Sequence, residues 1–314
     1  MKIMSYEFKI PWRLSFSLLF LITLIAACSQ SQSEAIPTDM PGFEPFKKGD
    51  GKLAFAAQVK KGEMYDLFIV NLSTGSIFQI TENTNADIAP SMAFDGLKVA
   101  FSSDSLGTYD LYTLNLPDGE PGLALVSGAD ETEPRFSPDG SLLAYQANAF
   151  GDYDIFTIRP EEETPVRLTE GDAQETQPSW SPDGSQLVFV SNRDGDFEVF
   201  TMNADGSDVR QITDNEDYDA APVWSPDGDS LAYISKRGQR FQLYLLSMET
   251  GEEKQLTELP GTVHSPAWSP DGKFIAYIFD QEGGSQIIAY ELVTGESYLV
   301  LDEYDKYAGL SWSE

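Results

Sequence analysis

The chain has 314 residues, with 51 Asp+Glu against 20 Lys+Arg for a net charge of −31, and it contains one His and one Cys. That charge repels phosphate backbones and excludes nucleic-acid binding through a basic surface, while a single Cys excludes an intrachain disulfide framework and a multi-Cys zinc site. With 41% hydrophobic and 12% aromatic residues, the acidity belongs to the surface of a folded protein rather than to a disordered tail.

Lys2, Lys9 and Arg13 precede an apolar run from Leu14 to Ala27. The run is shorter than the roughly 20 residues a bilayer span requires, and it suits the central region of a signal peptide. Cys28 follows at once, and Ile25-Ala26-Ala27-Cys28 resembles a bacterial lipobox, which implies cleavage after residue 27 and lipidation of the Cys28 thiol. The plainer alternative is a buried free thiol in an uncleaved anchor. The removed segment carries a net +2 from Lys2, Glu7, Lys9 and Arg13, so the mature chain would hold −33. Acyl chains on the thiol would anchor it, each buried methylene contributing about 0.8 kcal/mol. Residues 28–44, rich in Ser, Gln and Pro, read as a polar tether. Ser29 is not the Asp that signals inner-membrane retention in enteric-type bacteria, so the resemblance points to the outer membrane of a diderm cell, or to the outer face of the plasma membrane in a monoderm one.

From residue 45 onward one period organises the chain. Pro90, Pro134, Pro178, Pro222 and Pro266 stand 44 residues apart, with Leu310 next in the series. Asp66, Asp110, Asp154, Glu198, Gln242 and Gln286 repeat at the same spacing. A period of this length that reads as strands implies a propeller, one four-stranded blade per repeat. Pro178 to Thr213 shows the pattern. Pro178-Ser179-Trp180-Ser181 is an inner strand, and Ser181-Pro182-Asp183-Gly184 is a turn in which Pro fixes φ and Gly supplies a positive one. Leu187–Ser191, Glu198–Met202 and Arg210–Thr213 are the second, third and outer strands.

Trp180–Gly184, Trp224–Gly228 and Trp268–Gly272 all read WSPDG, and Phe136–Gly140 reads FSPDG. Together with the IAY or LAY strands and the closing RLT, QIT or QLT, these motifs resemble the TolB-type, WD-like propeller repeat, across about residues 45–314. The Gly-His and Trp-Asp marks of true WD repeats are missing, and the N-terminal α/β domain of TolB has no counterpart. The expected fold is all-β: a six-bladed propeller of four antiparallel strands per blade. Second strands begin near Leu53, Val99, Leu143, Leu187, Leu231 and Ile275, but the first repeat lacks an inner strand and Leu310-Ser311-Trp312-Ser313 lacks a blade. The C-terminal strand is therefore expected to complete the first blade and close the ring, which removes exposed edges.

Candidate chemistry is sparse. His264 is the only imidazole, and no G-x-S-x-G elbow or GxxxxGK[ST] loop occurs; no catalytic residue is assigned. Three residues before the repeated prolines stand Asp87, Glu131, Glu175 and Asp219, with Val263 and Tyr307 breaking the series. With His264 they form a candidate binding set at one channel mouth, where grouped carboxylates would favour a cation or a basic partner; the plainer reading is solvated or hydrogen-bonded loop acids. No cofactor is expected, a structural Ca2+ being the one ion these carboxylates could hold. The Asp66 series shares an acceptor oxygen but not a charge, which reads as turn capping. The Trp180, Trp224, Trp268 and Trp312 set reads as packing between blades.

The function expected is a membrane-anchored, non-catalytic envelope scaffold, monomeric, that binds a protein or peptide through loops at one mouth. Two alternatives remain open: a Ca2+-dependent lactonase-like hydrolase, and a glycan-binding propeller using exposed aromatics such as Tyr218, Tyr304 and Tyr307.

Overall fold

In the computed structural model the described residues are 43–117, 119–160, 162 and 164–314. The signal peptide, Cys28 and all but the end of the tether lie outside them. The strands follow the 44-residue period. The N-terminal strand β1 (Glu44–Pro45) is followed by β2 (Lys52–Gln58), β3 (Asp66–Asn71) and β4 (Ser76–Gln79). The second repeat forms β5 (Asp87–Met92), β6 (Lys98–Ser103), β7 (Asp110–Asn115) and β8 (Gly122–Leu125). The third forms β9 (Glu131–Phe136), β10 (Leu143–Ala147), β11 (Asp154–Ile158) and β12 (Val166–Arg167). The fourth forms β13 (Glu175–Trp180), β14 (Gln186–Ser191), β15 (Glu198–Asn203) and β16 (Arg210–Gln211). The fifth forms β17 (Asp219–Trp224), β18 (Ser230–Ser235), β19 (Gln242–Ser247) and β20 (Glu253–Gln255). The last forms β21 (Thr262–Trp268), β22 (Phe274–Gln281), β23 (Gly284–Glu291), β24 (Ser297–Leu301) and β25 (Lys306–Ser313).

These strands make six antiparallel sheets, the blades of a propeller, numbered here from the sheet of β2. Blade 1 has the order β25-β2-β3-β4, so the C-terminal strand supplies its inner strand and closes the ring as the sequence predicts. The ladder runs from Lys52↔Ser313 to Gln58↔Lys306. Blade 6 carries a fifth strand that the sequence did not announce. β1 pairs in parallel with β24, Glu44 opposite Tyr298, so the last tether residue is already part of the sheet. Phe46 then packs edge-on against Phe274 of blade 6 and Trp312 of blade 1, with centroids 5.2 and 6.0 Å away. Lys48 donates to Glu291 at 2.8 Å.

Each inner strand breaks register against its neighbour at the residue before the repeated proline position. Ala89, Glu133, Gln177, Ala221 and Ser265 have φ between 49° and 55°, and Gly309 has φ 59°. Proline cannot donate to the ladder, and a bulge removes the need for it to do so. The left-handed residue re-aims the strand in every blade, so it is a property of the repeat rather than of any one site. Gly309 is the glycine of the series because a Cβ there would lie 3.1 Å from both Ala89 Cα and Pro90 Cδ of the next blade.

Second and third strands are largely buried, which places the core between the flat faces of adjacent blades. One cluster joins Leu53, Phe55 and Phe68 of blade 1 to Ala276, Ile278 and Ile287 of blade 6 across the closure. The tryptophans fill these gaps: Trp180 Nε1 donates to the Arg135 carbonyl at 3.1 Å, and Trp268 Nε1 to the Val223 carbonyl at 3.2 Å. The S-P-D-G turns of neighbouring blades also lie close, for Cβ atoms built on Gly184 and Gly228 would meet Pro138 and Pro182 at 3.6 and 3.3 Å.

Candidate functional site

The ring has two ends. The entry end, where inner strands begin, is built from the turns between second and third strands and from the crossings that lead one blade into the next. The exit end carries the S-P-D-G turns. In those turns Asp183 accepts from the Ser181 hydroxyl at 2.7 Å and from the Ser185 N–H at 3.0 Å. These bonds hold its carboxyl below the usual range.

All four predicted carboxylates begin an inner strand at the entry end. Ladder register puts each in a row with the end of the second strand and the start of the third: Asp87, Ser103 and Asp110 in blade 2; Glu131, Ala147 and Asp154 in blade 3. Glu175, Ser191 and Glu198 follow in blade 4, and Asp219, Ser235 and Gln242 in blade 5. Asp87, Glu131, Glu175 and Asp219 are all buried. Their side chains are closed off from solvent. Among the described residues no group of three or more His, Cys, Asp and Glu is placed to hold a metal ion.

Each acid is tied into its junction by neighbours of its own. The Asn215 N–H donates to Glu198 at 2.8 Å and its amide to Asp219 at 2.9 Å. Asn83, three periods earlier, donates its amide to Asp87 at 2.7 Å. Glu175 accepts from Ser191 at 3.0 Å and from Arg193 at 3.1 Å. A threonine recurs in the crossings: Thr81, Thr169, Thr213 and Thr257 each accept an N–H from the third strand at 2.9 Å. Thr257 returns its proton to Gln242 at 2.9 Å, and Thr213 to Glu198. The third-strand series thus caps the crossing about one blade-width on, as with the Leu259 N–H on Gln242 at 2.9 Å. At Glu198 and Gln242 the series is an acceptor, as the sequence suggests, but its partner is the inter-blade crossing and not the local turn.

Two junctions lack both of these donors. Between blades 6 and 1 the threonine position holds Leu301 and the asparagine position Glu303, and between blades 2 and 3 they hold Leu125 and Ser127. Ser127 donates to Glu131, but neither oxygen of Asp110 has a hydrogen-bond partner among the described residues, although the residue is fully buried. Burial pushes the Glu131 carboxyl up to about 7, with Asp110 and Asp130 adding to the shift, and burial also raises Asp110.

His264 lies in β21 at the closure. Its Nδ1 is 3.0 Å from Ser265 Oγ and its Nε2 is 3.5 Å from Asp280 Oδ2, which Lys306 of blade 1 also approaches at 3.4 Å. Burial pushes Asp280 upward, but hydrogen bonding and charge from His264, with Lys306, hold it down at about 2. The cluster pins blade 6 to blade 1. His264 is not brought together with the four carboxylates of the other blades.

The aromatic platform fares differently. Tyr307 is buried, and its hydroxyl accepts the Tyr304 N–H at 3.1 Å. Tyr304 stacks on Phe68 with centroids 4.7 Å apart, and Tyr218 packs on Phe197 at the same distance. These tyrosines serve the core. Among the described residues the exposed large aromatic rings are Phe78, Phe94 and Phe150. For Phe94 the signal is a bulky residue where later repeats place Pro138, Pro182, Pro226 and Pro270, and for Phe150 one where other repeats place Gly62, Asp194 and Gly238; Phe78 carries no such signal.

A family model described as the TolB beta propeller domain (PD40) matches residues 124–314. A comparison with curated proteins finds no match. Among solved structures, the chain is similar to TolB from Acinetobacter baumannii at 20% identity and a TM-score of 0.74, covering 84% of this chain and 66% of that one. It therefore spans about two thirds of the length of that relative. A TolB candidate from Agrobacterium tumefaciens aligns at 18% identity and a TM-score of 0.68, over 85% of this chain and all of the other. An oligogalacturonate lyase from Vibrio parahaemolyticus aligns at 17% identity and a TM-score of 0.57, over 85% of this chain and 80% of the lyase. At such identities the likeness is one of fold.

Proposed function

The chain belongs to the TolB beta propeller domain family, and from that membership we propose that it is a lipid-anchored, non-catalytic scaffold of the cell envelope that presents one end of its ring to a protein or peptide. The observation that supports this most is the contrast between its ladders and its loops. Ladder positions repeat from blade to blade, and their buried acids are committed to holding blades together. Turn tips at one repeat position differ instead, reading Gly62, Leu106, Phe150, Asp194, Gly238 and Glu282. Recognition on a rigid scaffold resides in such loops.

The anchor is Cys28 of the lipobox-like segment, with the tether running to Glu44 on the outer edge of blade 6. A net charge of −31 is consistent with a protein partner and not with nucleic acid. The test is in intact cells. A photo-crosslinking residue at 106 or 150 should give one discrete adduct with an envelope protein, and the same residue on the outer face of a blade should give none. Cys28→Ser should release the protein from membranes. Uniform or absent crosslinking from both tips would overturn the scaffold reading.

A further inference from the structure

We propose that the corner of the entry end formed by blades 2 and 3 is a docking surface for a protein segment bearing apolar side chains flanked by lysine or arginine. This deepens the scaffold reading and rests on it, narrowing it to one place and one chemistry.

Leu106 and Phe150 occupy the same tip position on adjacent blades and are 60% and 68% exposed. The turn does not ask for them. Gly107, Gly151 and Gly195 close identical turns onto Asp104, Asn148 and Asn192 at 2.9, 3.0 and 3.1 Å, and the third of these carries Asp194 at its tip. Val126, on the crossing between the same two blades, is exposed as well. Bulky apolar groups set on the rim of a folded domain cost solubility and mark interaction sites when they gather on one face. Phe150 is also held in place. The Arg167 guanidinium lies 4.4 Å from its ring centroid, and Arg167 is itself bonded to the buried Asp154 at 2.7 Å. An aromatic ring fixed before binding loses little entropy on docking.

Charge selects the partner. The entry-end loops of these blades, residues 104–109, 126–130, 148–153 and 170–174, carry Asp104, Asp130, Asp152, Glu170 and Asp172 and no Lys or Arg. Three of these carboxylates are fixed by the fold: Asp104 accepts the Ala86 N–H at 2.8 Å, Asp130 the Tyr109 N–H at 3.1 Å, and Asp152 the Gln174 amide at 2.6 Å. The basic turns of this end lie elsewhere, with Lys60 and Lys61 in blade 1 and Lys236, Arg237 and Arg240 in blade 5. The crossings after blades 4 and 6 are also acidic, with Asp214, Glu216 and Asp217 and with Asp302, Glu303 and Asp305, but the tips of those blades are Asp194 and Glu282. Only blades 2 and 3 combine acidic loops free of Lys and Arg with large exposed apolar tips, so a segment that is both cationic and apolar is favoured there, while an acidic one is repelled.

The experiment selects peptides of about twelve residues, the length of a short recognition segment, from a random displayed library on the mature chain and measures their affinity by fluorescence anisotropy. Leu106→Asp combined with Phe150→Asp reproduces the tip that Asp194 already tolerates, and its melting temperature serves as the folding check. Glu170→Lys with Asp172→Lys alters exposed charge alone. The selected peptides should combine aromatic or aliphatic residues with net positive charge, and should bind about tenfold more weakly to the first double variant, in the range typical of interface hot spots. Binding should also weaken severalfold with the second variant and with rising salt. Peptides that are neutral or acidic, or that ignore both variants, would overturn this surface and leave the scaffold reading standing. Binding to phosphatidylglycerol-containing vesicles, or self-association abolished by the first variant, would assign the corner to lipid or to a second copy and equally overturn the proposal. A selection that yields no binder, with no crosslink in cells, would overturn both readings.

Discussion

The Met92 N–H donates to the Ser311 hydroxyl at 2.9 Å, joining strands that lie 219 residues apart. The same contact recurs between Phe136 and Ser91 at 3.2 Å in an ordinary junction. The closure of the ring is thus chemically a blade junction like the others, made by the two ends of the chain. Loop-closure entropy for so long a separation grows only slowly with length, so the closing strand gains nearly as much from its packing as any internal one.

Removing residues 308–314 should consequently unfold more than a tail. Leu310 and Ala308 are buried in blade 1, and a buried leucine alone contributes about 2 kcal/mol. The truncation should lower the melting temperature by more than about 10 °C on the scaling for a chain of this size, or yield insoluble protein. An unchanged melting curve would contradict closure by this strand.

Gly309→Ala tests the approach of blade 1 to blade 2. The left-handed φ is tolerated by Ala89 and Ala221 elsewhere, so the cost comes from the 3.1 Å contacts with Ala89 and Pro90. Destabilisation of about 1–3 kcal/mol is expected, as for overpacking. Ala221→Gly, which relieves the same conformation without opening a contact, should be neutral or slightly stabilising. Urea titrations of both variants decide it.

The junction of blades 2 and 3 should make stability depend on pH. Glu131 has its folded value at about 7, above the reference of 4.5, so the folded state binds its proton more tightly. Its contribution is complete below the reference value and is lost as pH rises through the folded one, up to roughly 3 kcal/mol at about 1.4 kcal/mol per unit. Asp280, held at about 2 from 3.8, acts in the opposite sense and weakens the fold only as pH falls below its reference value. Stability should decline from about pH 5 to pH 8, with Glu198, which burial also raises to about 7, acting in the same sense, and Glu131→Gln, which keeps an acceptor for Ser127, should make that decline shallower. Parallel slopes for the two proteins would refute the assignment.

The tryptophans offer a paired comparison. Trp268 has its indole N–H bonded to Val223, whereas the buried Trp224 Nε1 has no partner among the described residues. Trp268→Phe should cost about 1 kcal/mol more than Trp224→Phe, the net value of one hydrogen bond, since the second change also removes an unsatisfied donor. Chemical denaturation measures the difference.

The amino-acid sequence alone carried the period, the strand count per repeat, the turn chemistry of the S-P-D-G segments and the closure of the ring. These follow from local rules, because a blade is built from contacts within 44 residues and each repeat states them again. Burial of Asp87, Glu131, Glu175 and Asp219 was decided only by the stacking of one blade on the next, since whether a loop acid meets water or a neighbour's crossing depends on what covers it. The same holds for the packing of Tyr218, Tyr304 and Tyr307 and for β1, a two-residue strand too short to leave a pattern, whose partner lies some 250 residues away. Leu106 and Phe150 are visible in the sequence as departures from the repeat, yet only the folded ring puts them at the same end of adjacent blades.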